Sequence, residues 1–68
     1  MTSDRDIWAS ARLYVDRYGQ AAPIEAAMKA DALAEKGNYA GQRTWLRIIT
    51  AIEWLQDNRG RDPFKLEH

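Results

Sequence analysis

The sequence predicts an all-α fold, a small three-helix up-down-up bundle, and three observations carry that expectation. Apolar residues recur three and four positions apart in three stretches, the period of one helix face rather than the alternation of a strand. Gly19 and Gly37 fall between those stretches, where a helix ends at least cost in a left-handed conformation. Ser3 and Asn38 stand just ahead of the first and third stretches, with side chains suited to accept from the unpaired N–H groups of a first turn.

The first helix is expected over about residues 4–18. Ser3 with Asp6 makes a capping-box-like pattern, and Asp4 and Asp6 suit the positive end of the helix dipole. At 100° per residue Ile7, Ala11, Val15 and Tyr18 share a face, with Trp8 and Tyr14 at its margins. Leu13 points nearly the other way, among Asp6, Ser10 and Arg17. The second helix is expected over about residues 22–36, with Pro23 in its first turn, where a missing N–H costs nothing. Its best face is Ala26, Ala27, Ala30, Leu33 and Ala34, small side chains that let a neighbouring helix approach closely. Ile24 and Met28 form a second apolar edge, and Asp31 falls between the two strips. The third helix, over about residues 39–58, carries the core stripe Trp45, Ile48, Ile49, Ile52 and Leu55, with Gly41 on the same line. Trp45, Ile48, Ile49 and Ile52 are expected among the most buried residues. Short connections at Gly19 and Gly37 make successive helices near-antiparallel neighbours.

Size and composition bound the rest. At 68 residues and 7.8 kDa there is room for one domain. Residues 1–60 are assigned to it and 61–65 to a short tail, loose unless Phe64 folds back onto the domain. Leu66-Glu67-His68 reads as the remnant of an affinity tag, to be set aside with its histidine. With Glu67 removed, nine acids stand against ten bases, a balance near +1. A charge so close to zero does not suggest general electrostatic binding to nucleic acid or to an anionic membrane. Without cysteine there is neither a disulfide framework nor a thiolate metal site. No apolar run approaches the ~18 residues that would suggest a membrane span, and the first residues show no signal-like pattern, so a cytoplasmic protein is expected. A chain this short buries only ~60% of its unfolded surface, so it must pack its helices well or bury more in an oligomer.

With the tag histidine set aside, no histidine or cysteine remains for general-base or nucleophilic work, and no glycine-rich phosphate loop is present. The expectation is a protein without enzymatic activity and without a cofactor. Asp31 reads as a structural ion pair with Arg43 or Arg47 of the following helix, since a charge buried without a partner is costly; the alternative is an acid that binds a cationic ligand. Arg43, Arg47, Thr50 and Trp54 form a stripe at helical spacing that offers arginines for phosphate and a ring for stacking. Residues 43–65 nevertheless hold only five basic residues against three acidic, a weak footprint for nucleic acid. The aromatic residues are numerous for three helices to bury. Tryptophan, tyrosine and arginine are also the types enriched at interface hot spots. Trp8, Leu13 and Trp54 are therefore the candidate interface, and protein–protein contact including a homodimer is the expected role. Nucleic-acid association through Arg43, Arg47 and Trp54 is the alternative.

Four segments carry a resemblance: Asp6-Ile7-Trp8, Ala30-Asp31-Ala32-Leu33, Trp45-Leu46-Arg47-Ile48 and Ala51-Ile52-Glu53. On these the chain resembles a family of short bacterial proteins classed as a domain of unknown function. That resemblance implies no activity and carries over no site residues. Glu35-Lys36-Gly37-Asn38-Tyr39 with the helix after it is also similar to the turn and second helix of a tetratricopeptide repeat, which implies a helical hairpin.

Overall fold

The computed structural model describes residues 3–58. They are all-helical: α1 spans Asp4–Tyr18, a 3-10 turn spans Gly19–Ala21, α2 spans Ala22–Glu35 and α3 spans Tyr39–Asp57. The expected tail at 61–65, with the question of Phe64, and the expected tag remnant at 66–68 lie outside the described residues.

Local chemistry accounts for each boundary. The Ser3 hydroxyl oxygen accepts from the Asp6 N–H at 3.3 Å and opens α1. Gly19 takes a positive φ of 58° and caps α1 after Tyr18, but the path there bends rather than reverses. The 3-10 turn leads straight into α2, with Pro23 in that helix's first turn, so α1 and α2 follow one another as one long bent helix. The second glycine both closes a helix and reverses the chain. Gly37 adopts φ 79°, its N–H donates to the Ala34 carbonyl and the Asn38 N–H to the Leu33 carbonyl, each at 2.9 Å. That pair of bonds is a Schellman motif. Asn38 then serves twice, because its Oδ1 accepts from the Gly41 N–H at 2.9 Å and caps α3.

The expected up-down-up bundle is met only in part. α2 and α3 form an antiparallel hairpin about Gly37 and make the most extensive packing in the molecule. α1 is not a third rod beside them, and its contact with α2 is slight. It passes across α3 from one flank to the other. Near its start Arg47 reaches Asp4 and Trp54 meets Trp8. Towards its end Trp45 meets Tyr14, and Gln56 donates to the Gly19 carbonyl at 3.0 Å. On α3 the first pair of residues lies roughly 180° around the axis from the second.

The core consists of Ile7, Ala11, Ala22, Ala26, Ala30, Ile48, Ala51, Ile52 and Leu55. Five of these nine are alanines, so helices approach closely while burying little side-chain area each. Ile52 is the one large side chain wholly enclosed among the described residues. Trp45 and Ile49, expected at the centre with Ile48 and Ile52, are only partly buried and pack against the core's margin. Leu55 is buried as expected, and Ala51 joins it inward because α1 lies over the side of α3 that they share. Gly41 is not a core contact. A Cβ there would meet the Asn38 side chain at 2.9 Å, so the glycine makes room for the cap of its own helix.

Candidate interaction surface

Two kinds of surface residue bear on function: rings that edge the core, and apolar residues turned to solvent. The rings form two groups. Trp8 and Trp54 meet edge to face with centroids 5.5 Å apart. Tyr14 lies between Tyr18 and Trp45, each ring 5.1 Å away. Such offset and edge contacts suit the ring quadrupoles. Partial burial holds the Tyr14 phenol above its ordinary value of 10.0, helped by Tyr18 and Glu25, while Arg17 works the other way. The solvent-facing apolar residues are Leu13, Ile24, Met28, Tyr39, Leu46 and Trp54, with exposures from 37% for Trp54 to 65% for Ile24.

The outward face of α3 concentrates several of these features. Arg43, Leu46, Thr50, Glu53, Trp54 and Asp57 are all exposed along it. The Thr50 hydroxyl donates to the Leu46 carbonyl at 3.2 Å, so its donor is used within the helix. Beside this face a shallow groove of about 350 Å³ runs between α1 and α3, bounded by Asp4, Trp8, Arg47, Thr50 and Trp54. Across it the Arg47 guanidinium donates to Asp4 Oδ1 at 2.6 Å. Both partners are well exposed, with side chains 56% and 83% accessible, so solvent and salt screen the pair.

The predicted site residues separate into two places. Trp8 and Trp54 come together. Leu13 does not join them, being exposed on the far side of α1 in a surface depression with Arg5, Ala9, Arg12 and Asp16. The expected ion pair of Asp31 with Arg43 or Arg47 is absent among the described residues. Asp31 is exposed, roughly 140° around α2 from buried Ala26, and Arg47 turns to Asp4 instead. With no burial to compensate, Asp31 has no need of a partner. The stripe Arg43, Arg47, Thr50 and Trp54 does share one exposed face, but Arg47 is neutralised by Asp4 and Trp54 is braced by Trp8.

Sequence reasoning missed the Asp4–Arg47 link and the Gln56 contact with Gly19, which join residues 43 and 37 positions apart. No local pattern announces either of them. Among the described residues no group of three or more His, Cys, Asp or Glu side chains is placed to hold a metal ion, and no helix is long and apolar enough to cross a membrane. Compared with protein-family models, with curated proteins and with solved structures, the chain matches none.

Proposed function

We propose that this chain is a small three-helix cytoplasmic protein without enzymatic activity that works through protein–protein contacts, including association with a second copy of itself. One observation carries the reading: Leu46 and Trp54 stand exposed on α3 while five of the nine core residues are alanines. A domain this small gains from burying more apolar surface than its own helices enclose. Aromatic and arginine side chains on one face are the residue types that dominate interface energetics. The alternative is a nucleic-acid contact through Arg43, Arg47 and Trp54. Against it stand the neutralised Arg47 and an overall formal charge of zero.

The test is the absolute mass in solution of the chain, by light scattering across a dilution series. The reading expects twice the 7.8 kDa of one chain at micromolar concentration, falling towards one chain on dilution. A single-chain mass at every concentration up to millimolar overturns self-association. Binding to single-stranded nucleic acid that falls steeply with salt and is lost in Arg47→Ala would put the alternative in its place.

A further inference from the structure

We infer that the occupant of the outward face of α3 is the same face of a second copy, laid antiparallel on it with a two-fold axis at Thr50. This rests on the self-association reading above and adds its geometry. The residues of this face mirror one another about position 50: Arg43 and Asp57 are seven positions away, Arg47 and Glu53 three, Leu46 and Trp54 four. They also share one side of the helix, all within roughly 60° of Thr50 at 100° per residue. The basic half thus lies towards the start of α3, the acidic half at its end, and the apolar residues Leu46 and Trp54 bracket the centre. Antiparallel pairing sets each basic half on the partner's acidic half, and it is the isologous arrangement a two-fold interface requires.

Within a single chain the same charges are badly disposed. Arg43 with Arg47 and Glu53 with Asp57 are like charges four positions apart, which repel on a helix. Asp57 is the last residue of α3, at the dipole's negative end, where an acid is unfavourable. Arg43, Glu53 and Asp57 have no ion pair among the described residues, and only Arg47 is relieved, by Asp4. A pattern that breaks local rules with only Arg47 compensated within the chain is resolved at one stroke by the partner's complementary halves, which also fix register and orientation.

The chain contains no cysteine, so a single introduced thiol reports the axis directly. Helices packed about 8–10 Å apart, with Cα atoms about 2.3 Å off axis, bring two residues at the two-fold within the Cα spacing of a disulfide. Under mild oxidation the Thr50→Cys chain is expected to form a covalent dimer about tenfold faster than Leu13→Cys, whose thiol is on the far side of α1. Reversing one charge, Arg43→Asp or Asp57→Arg, is expected to raise the dimer dissociation constant about tenfold. The double variant Arg43→Asp/Asp57→Arg restores it, and its charges suit the helix dipole, so loss of folding cannot imitate the result. A wild-type dimer in which Thr50→Cys links no faster than Leu13→Cys, or in which the double reversal fails to rescue, overturns this register and leaves self-association standing. A single-chain mass for the wild type overturns both.

Discussion

The seam between α2 and α3 and the crossing of α1 over α3 are built by opposite means. The seam is a row of small side chains, with Ala22, Ala26 and Ala30 wholly or nearly wholly enclosed, closed at one end by the Schellman turn at Gly37. Its cohesion comes from how closely two backbones approach. The crossing rests on Ile7 and Ala11 in the core, on half-buried rings at both flanks and on two long-range polar bonds. Its cohesion comes from the area of large side chains. The seam should therefore be broken by enlargement and the crossing by truncation, although α3 is common to both.

Ile52 is where the two regions meet, and its loss gives the largest expected effect. Ile52→Ala removes the one large side chain fully enclosed among the described residues, at about 2–5 kcal/mol. A chain of this length has a total stability of only about 3–10 kcal/mol. Far-UV circular dichroism during heating should show a lost or much lowered transition; a midpoint within a few degrees of wild type would mean that the regions do not share a core. Next is enlargement of the seam. Ala26→Leu should cost about 1–3 kcal/mol by forcing the helices apart, while Ala32→Leu, on the exposed side of α2, should stay within about 0.5 kcal/mol. Urea midpoints for the pair test this, and equal midpoints would show that close approach is not what holds the seam. Truncation of the crossing follows. Tyr14→Ala gives up ring contacts with both Tyr18 and Trp45, each worth about 0.5–1.5 kcal/mol beyond area. Tyr14→Phe keeps them and should leave the urea midpoint nearly unchanged near neutral pH.

The contrast also explains what was legible in the sequence. The caps at Ser3 and Asn38, the turn at Gly37 and the alanine face of α2 are local matters of spacing and residue type, and they could be read directly. Gly19 is legible as the end of α1, but whether the chain reverses or only bends there is a matter of tertiary contact, such as that of Gln56 with the Gly19 carbonyl, which no local pattern states. The inward stripe keeps Ile48, Ile52 and Leu55 but takes Ala51 in place of Trp45 and Ile49, because α1 crosses rather than runs alongside, a tertiary fact with no period of its own. Asp31 lies exposed on α2, and Arg47 turns to Asp4 instead, a pairing that spacing along the chain does not reveal. Trp8 and Trp54, large rings that three helices cannot easily bury, pack on one another between α1 and α3, a contact within the chain and not one with a partner. The mirrored charges around Thr50 are plain in the sequence, yet they acquire meaning only once that side of α3 is seen to face outward.

A smaller effect separates the crossing's polar bonds from its rings. Asp4→Asn removes the charge partner of Arg47 and an acid from the first turn of α1. For so exposed a pair the expected cost is about 0.2–1 kcal/mol at low salt. The difference from wild type should close as salt approaches about 1 M, where the Debye length falls to about 3 Å. A gap that persists in high salt would show that Asp4 acts by shape or hydrogen bonding rather than by charge.

The subtlest break concerns Tyr14 and alkali. Its phenol is held above 10.0 by partial burial first, with Tyr18 and Glu25 adding to the effect and Arg17 opposing it. In the unfolded chain the same phenol titrates near its ordinary value, so between the two values the unfolded state binds fewer protons. Stability then falls as pH rises: the contribution is complete below pH 10 and is lost as pH climbs through the raised value. Wild type alone cannot isolate it. Tyr14→Phe can, because it keeps the rings together and removes only the proton. Urea midpoints from pH 8 to 11 should fall more steeply for wild type than for Tyr14→Phe above pH 10, with the two curves parallel below. Parallel curves throughout would mean that the ring contacts at this flank leave the phenol as open to water as in the unfolded chain, and that the crossing is held at that end by less burial than the ring geometry implies.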